Sequence, residues 1–382
     1  MALDLELFGK KLRRYREQFE LSISEIASAS GISVQRLTAF ETGRQSPTGD
    51  DILILSDVYK CDYKFFVSNE RLAPFEQTEV LFRRFGNDFS KKDRWAVQEF
   101  LYLSDNEFFL QRALSKPDPK IFAFTKTGPN FKGHGKRAAD ELRKFLGYSD
   151  NQVPRNVFED FRSLGIHVFR RILDNSNISG LYVKHPVAGN CILIDYSEDV
   201  YRQRFSAAHE AAHTILDTDE EVLVSFIQHQ GDLREIRANT FASHFLMPPA
   251  FLRSLPEPQR WDTKKAIHWA NELRVSTEAL SIALLQAGLI DAKTQRMIKA
   301  VRVPRKDKVD PELPLNLAPR SRQRKEGMLT RGLSDYYVRL CSDAYRQGVV
   351  SAERLGELLL VRDESELREM AELYGVLLYY GD

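Results

Sequence analysis

The run FSAAHEAAHTILD, residues 205–217, constrains this chain more than any other feature. His209 and His213 stand four apart with Glu210 directly after the first, which is the H-E-x-x-H pattern. Its chemistry works only on a helix. Side chains four apart share one helix face, so both imidazoles can reach one metal ion. Glu210 sits beside them, placed to take a proton from water at the metal. Ala211 and Ala212 are small enough to let another helix press close. The chain must therefore build a helix whose polar face is covered by a second element. That element has to bring a third ligand, because a catalytic zinc ion commonly keeps three protein ligands and one open position.

Downstream, LREIRANTFASHFLMPP, 233–249, places Glu235, Ala238, Asn239 and Ala242 on one helical face. A carboxylate with alanines beneath it can lie against the histidine helix. The two runs together resemble the ImmA/IrrE metallopeptidase family, whose pattern is E-x-x-A-N-x-F-A followed by L-M-P. Glu235, Ala238, Asn239, Phe241 and Ala242, then Leu246, Met247 and Pro248, match it. RQRFSAAHEAAH is similar to the family's entry into its zinc helix, with two alanines in place of the commoner Leu-Gly. The resemblance covers roughly 137–290. It implies a zincin-like metallopeptidase core in which His209, His213 and Glu235 hold Zn²⁺ and Glu210 is the catalytic base. The same ligands can hold Mn²⁺ or Fe²⁺.

Other polar residues allow more than one reading. His229 can be an extra ligand, a transition-state donor or a surface histidine. His244 follows Glu235 by nine residues, half a turn out of phase, and should point away from the metal. Cys191 opens a strand before the histidine helix; its thiolate can close the open metal position, or it can be an inert buried cysteine. Tyr196 or Tyr201 can steady an oxyanion. The strand NCILIDY, 190–196, is expected to offer an edge to an extended substrate by β-augmentation.

Near the N-terminus, SISEIASASGISVQRLTAFETGR, 22–44, reads as two short helices around Gly31, the second capped by Ser33. In such a helix-turn-helix the second helix enters the major groove. Gln35, Arg36, Thr38 and Ala39 then face the bases, since Gln suits adenine and Arg suits guanine. Arg13, Arg14, Arg16 and Arg44 are candidate phosphate contacts. About 60 residues here resemble the Cro/lambda-repressor (XRE) type of DNA-binding domain, through LRRYRE, SEIA, GIS, the FETG turn and SPTGDDILILSDVYKCD. Residues 1–70 carry nine basic against eleven acidic side chains, so a helical docking module that touches no DNA is the competing reading.

The expected fold class is mainly α with a small β-sheet (α+β). An all-helical DNA-binding domain spans 1–70, a helical connector and linker 71–136, and the metallopeptidase domain 137–290. A basic, Pro-containing linker covers 291–327 and a helical C-terminal regulatory region 328–382. Strands are expected at 165–173, 178–185 and 190–196, followed by long helices from about 199 to 290. TKTGPNFKGHGK, 125–136, reads as a linker from its glycines and lysines. Residues 296–326 carry ten Lys/Arg against four Asp/Glu and four prolines, and read as an extended, partly mobile linker or nucleic-acid-contacting arm. WANELRVSTEALSIALLQAGLI, 269–290, reads as two helices supporting the core, with a second docking module as the alternative.

Composition limits the partners. The chain has 382 residues, 55 Lys+Arg and 54 Asp+Glu, which argues against coating nucleic acid by bulk charge. Three distant cysteines, the lack of a signal-peptide h-region and the lack of an ~18–20-residue apolar run point to the cytoplasm and no membrane. By the family resemblance the partners are a repressor protein as substrate, a double-stranded DNA operator and single-stranded DNA as activator. A homodimer would suit paired half-sites. The function implied is cleavage of a transcriptional repressor, derepressing stress-response, mobile-element or defence genes. The alternative is a transcription regulator whose peptidase-like domain senses a ligand or nucleic acid without cutting.

Overall fold

The computed structural model describes residues 3–61, 63–69, 76–128, 131–226, 232–314, 316–361 and 363–378. The chain divides into two compact units, one made of 1–114, 185–188 and 341–382, the other of 115–184 and 189–340.

In the first unit, α1 (Leu5–Gln18), α2 (Ile23–Ser30), α3 (Val34–Glu41), α4 (Gly49–Tyr59) and α5 (Tyr63–Val67) enclose an aromatic core. Phe8, Tyr15, Phe19, Phe40, Tyr59 and Phe66 are all buried in it. Local signals set the turns. Ser22 and Glu25 form a reciprocal capping box, and Gly31 ends α2 at φ 71°, a conformation glycine adopts without steric cost. Ser33 then accepts from the Arg36 N–H and starts α3. Arg16 clamps α1 to α3 through a bidentate pair with Glu41, at 2.7 and 3.0 Å. Beyond them, α6 (Glu76–Phe85) and α7 (Lys91–Ala113) are separate helices, divided by a short 3-10 turn and restarted by the Ser90–Asp93 capping box.

The second unit opens with α8 (Phe131–Phe145) and α9 (Val157–Arg162). Its sheet follows: β1 (His167–Arg171), β2 (Ile178–His185) and β3 (Gly189–Asp195). After α10 (Val200–Leu216) comes β4 (Val222–Phe226), giving the strand order β1-β3-β2-β4. β1 pairs parallel with β3, with His167 opposite Cys191, and β2 pairs antiparallel with β4. The three-residue connection from β2 to β3 requires them to be antiparallel, so the sheet is mixed. The helices α11 (Leu233–Leu246), α12 (Pro249–Ser254), α13 (Thr263–Leu273), α14 (Thr277–Gln286), α15 (Ala292–Lys299) and α16 (Pro319–Thr330) complete this unit. Ala207, Ala208, Ala211 and Ala212 of α10 and Ala238 and Ala242 of α11 are buried in one core, where small side chains bring the two helices together. The chain returns to the first unit within α17 (Asp335–Arg346), followed by α18 (Ala352–Leu358) and α19 (Glu364–Leu373).

A mainly helical chain with a small sheet is therefore the fold, and four local expectations change. The glycine-rich 125–136 segment is not all linker, since α8 begins at Phe131. Gly135 faces the Arg237 carbonyl so closely that no Cβ would fit, so this glycine serves packing against α11. The stretch 199–290 is not helical throughout, because β4 interrupts it. β3 is central in the sheet and offers no edge; the edge strands are β1 and β4. Finally, the basic 296–326 stretch is anchored. Its few acids close on buried arginines: Arg170 of β1 donates to Asp310 at 2.9 Å and to Glu312 at 2.6 Å, and Arg162 to Glu312 at 2.9 Å. Net charge pointed to a solvated arm, while the minority charges decide where the segment lies.

Candidate metal centre

Asp199 caps α10, which carries His209 and His213 on one face, both buried. Asp232 caps α11, which brings Glu235 against them. The His209 and His213 Nε2 atoms lie 3.1 Å apart. Glu235 Oε2 is 3.1 Å from His209 Nε2, and Oε1 is 3.4 Å from His213 Nε2. Among the described residues these three form a group able to hold a metal ion.

The other ring nitrogens determine what faces the centre. His209 Nδ1 lies 3.0 Å from Asn239 Oδ1, and His213 Nδ1 lies 2.8 Å from Asp217 Oδ2. Both acceptors need an N–H, so Nδ1 carries the proton in each neutral ring. Two bare Nε2 lone pairs and a carboxylate then converge on one point. Such an arrangement holds together only around a cation or a proton. Tetrahedral coordination at ~2.0–2.1 Å from zinc separates ligand atoms by roughly 3.3–3.4 Å, close to the distances above. The donor set and its spacing fit a zinc ion. Without one, protons fill the role. Burial pulls the His213 imidazole down, but its bonds to Asp217 and Glu235 outweigh that and carry it up to about 10. Glu235 is opposed by burial, yet the two histidines hold its carboxyl far below the usual range.

Asp217 is itself held by an ion pair with the buried Arg237 of α11. An Arg237–Asp217–His213 chain thus locks the ring from behind. Glu210 is fully buried next to His209, His213 and Glu235. Burial raises its carboxyl, against the opposing field of His209 and His213. Ser225 of β4 is near enough to pull the same way as the histidines but lies outside hydrogen-bonding geometry, so both Glu210 oxygens lack a partner among the described residues. Gly180 of β2 makes room for this carboxylate: a Cβ there would fall 2.8 Å from Glu210 Oε1.

The structure thus brings His209, His213, Glu210 and Glu235 together. His229 lies outside the described residues. His244 lines a different pocket with Lys136 and Arg253. Cys191 is buried in β3 with its Sγ 3.5 Å from the Gly189 carbonyl, apart from the His-His-Glu group. Tyr201 donates to Asn271 at 2.6 Å, and the Tyr196 ring lies under Arg170. Asp217, Arg237 and Gly180 also belong to this site, and none of the motifs above includes them. Asp217 carries a usable signal, an acid four residues after His213 at the end of the same helix. The other two carry none, because their partners are remote in sequence.

In the first unit, Gln35 and Thr38 are exposed on α3, Ala39 is half-buried beside them, and Arg44 is exposed after the helix. Arg36 donates to Asp51 of α4 at 2.6 Å, so its guanidinium is engaged within the domain. Arg16 is largely buried in its pair with Glu41.

Residues 161–285 match the peptidase family model described as the IrrE N-terminal-like domain, and residues 12–66 match a helix-turn-helix model. No curated protein matches the chain. The protein thus carries a DNA-binding helix-turn-helix domain and a metallopeptidase-like domain. No helix among the described residues is long and apolar enough to cross a membrane.

Proposed function

We propose that this chain is a DNA-binding zinc metallo-endopeptidase that cleaves a transcriptional repressor and so derepresses stress-response, mobile-element or defence genes. The observation that carries this reading is the convergence of the His209 and His213 Nε2 atoms and the Glu235 carboxylate beside the Glu210 carboxylate, whose two oxygens have no hydrogen-bond partner among the described residues.

His209, His213 and Glu235 would hold the ion, Zn²⁺ or the similar Mn²⁺. When bound, the ion supplies Lewis-acid chemistry, polarising a carbonyl and easing the deprotonation of water. Glu210 accepts the proton of the attacking water and passes it to the leaving amine. Asn239 and Asp217 keep the two imidazoles oriented throughout. The extended substrate adds to β4, an edge strand that carries Ser225 next to Glu210. The helix-turn-helix domain brings the chain to an operator through Gln35, Thr38, Ala39 and Arg44, with Arg36 released from Asp51 to reach DNA. The cytoplasm is the compartment in which operator and repressor meet. The domain bounds we propose are 1–70 for DNA reading and 137–290 for the peptidase, which the start of α8 extends back to Phe131, with 328–382 regulatory.

The test incubates the purified chain with the repressor encoded beside it, with Zn²⁺ or Mn²⁺ and with or without single-stranded DNA. One defined cleavage, present in the wild type and lost in Glu210→Gln, is the expected result. Intact repressor under every condition would refute the peptidase reading and leave the non-cutting regulator.

A further inference from the structure

A second site lies at the C-terminal end of α11, the helix whose first turn carries Glu235. A cavity of about 150 Å³ is bordered there by α8, α11, α12 and α14, all within the second unit. At ~30 Å³ per water it has room for about five waters, and it is half the ~300 Å³ at which drug-sized pockets begin. Its occupant is therefore a small ion or the end of a larger molecule. Part of the lining is apolar and fixed, since Met247, Leu252 and Ala283 are buried. Arg143 of α8 donates to the Phe245 carbonyl at 2.7 Å and so ties α8 to this end of α11.

The polar lining consists of Lys136 of α8, Ser243 and His244 of α11, Arg253 of α12 and Gln286 of α14. No carboxylate lines the cavity. Neither Lys136 nor Arg253 forms an ion pair or hydrogen bond with a described residue. Asp140, one turn further along α8, is raised by its own burial and pulled down by the Lys136 charge, without an ion pair between them. With Asp140 set against Lys136, the Arg253 cation is still in excess. Residues 129–130, 227–231 and 315 of this unit lie outside the described residues, and none of them is Asp or Glu. His244 adds a different feature. Its buried Nδ1 has no hydrogen-bond partner among the described residues, which costs stability until a partner meets it. Burial, with the Lys136 charge adding to it, brings this imidazole down to about 4, so the ring is neutral near pH 7.

We propose that this cavity binds a phosphate dianion, free or as the terminal phosphoryl group of a small molecule, between Lys136 and Arg253. The two unpaired cations select a dianion over a monovalent ion. Donors reach the cavity from four helices, an arrangement that the four directions of a tetrahedral phosphate match and a planar carboxylate does not. A phosphate oxygen draws the imidazole proton of His244 to Nδ1 and so gives that nitrogen its partner. Ser243 and Gln286 supply neutral donors beside it. This inference is independent of whether the second unit cuts peptide bonds.

The experiment titrates inorganic phosphate into the full-length chain by calorimetry, with ionic strength held constant by sodium chloride. One saturable site is the expected result. Lys136→Ala and Arg253→Ala should each weaken it about tenfold, the scale of one lost charge-assisted hydrogen bond. His244→Phe, which keeps a ring and removes both nitrogens, should weaken it about fivefold. Both cations are exposed and unpaired, so melting temperatures in phosphate-free buffer should match the wild type and keep misfolding out of the comparison. Acetate should bind at least about tenfold more weakly than phosphate. Adenosine 5′-monophosphate separates the two sources: tighter binding than inorganic phosphate assigns the cavity to a phosphorylated small molecule, and weaker binding assigns it to the free ion. Failure of both phosphate and the monoester to bind, equal binding of acetate, or binding unchanged in both Lys136→Ala and Arg253→Ala overturns the proposal. So does a thymidine dinucleotide, whose only charge is a phosphodiester, binding as tightly as either, because the cavity would then read a nucleic-acid backbone.

Discussion

Replacing Gly135 with Ala should destabilise this protein, although helix propensity alone predicts the reverse. Gly135 lies within α8, where Ala is favoured over Gly by about 1 kcal/mol. Its position decides the sign. A Cβ there would come under 3.0 Å from the Arg237 carbonyl oxygen and 3.1 Å from the Phe241 nitrogen, both backbone atoms of α11, whereas ordinary contact begins at 3.4 Å. No side chain can swing aside to relieve this, so the helices must part by at least about 0.4 Å, from below 3.0 to 3.4 Å. Overpacking of this kind costs ~1–3 kcal/mol, and rigid backbone neighbours place it at the upper end. Net of propensity, the loss is about 2 kcal/mol, or roughly 4–8 °C in melting temperature for a unit of this size. Because α11 carries Glu235, the same displacement exceeds the ~0.2 Å tolerance of a zinc–ligand distance, and zinc affinity should fall as well. Gly327→Ala is the internal control. It makes the same change in α16, where a Cβ would meet nothing within 4 Å, and should stabilise by ~0.5–1 kcal/mol. Thermal and denaturant melts, with zinc competition against a chromophoric chelator, measure both variants. A Gly135→Ala protein as stable and as zinc-avid as the wild type would refute the packing argument.

Glu210→Gln should retain zinc by metal analysis yet lower repressor cleavage by about 10²–10⁴-fold, the usual contribution of a general base. Gly180→Ala, whose Cβ would press on the Glu210 carboxylate, should cut the cleavage rate on the order of 10²-fold with the zinc content unchanged; full activity would show that this contact does not position the base. Glu41→Gln removes the partner of the largely buried Arg16 and should cost the helix-turn-helix unit ~1.5–3 kcal/mol in melts; no loss would make the clamp ornamental. Burial raises the Asp160 carboxyl to about 6, against the hydrogen bond from Tyr148. The folded chain therefore keeps a proton that the unfolded chain has already released. This contribution is full below the unfolded value of 3.8 and fades as pH climbs to about 6. Asp160→Asn should flatten stability over that range, and an unaltered pH profile would refute the assignment.

The parts of the fold legible in the sequence are those set by local rules. Capping residues, the turn glycine Gly31 and helical spacing marked α2 and α3, because each acts within four residues of itself. Alternation marked β1, β2 and β3. β4 escaped because its five residues lie between two long helices and gain their identity from pairing with β2. The strap through Asp310 and Glu312 escaped because composition averages over residues, while one buried arginine, Arg170, selects two acids out of a basic stretch. Gly135 misled for a related reason: glycine marks a flexible loop and a tight helix crossing with the same letter.

The candidate metal centre divides along the same line. His209, Glu210 and His213 are legible because one helix turn places them, and Glu235 because its own run has a recurring pattern. What the sequence cannot display is the set of contacts that makes those ligands a site. Asp217 comes from the end of α10, Arg237 from α11 and Gly180 from β2, and they meet only after the sheet and both helices have packed. This division has an energetic basis. A histidine pair on an isolated helix is free to rotate, and its tautomers are unset. Asn239 and Asp217 remove that freedom, so the cost of orienting both rings is met during folding and not when a metal arrives. If that is right, Asn239→Ala, which leaves every ligand in place, should still weaken zinc binding by about 10–100-fold. Chelator competition at one pH measures it, and affinity equal to the wild type would mean that the three ligand side chains alone set the strength of the site.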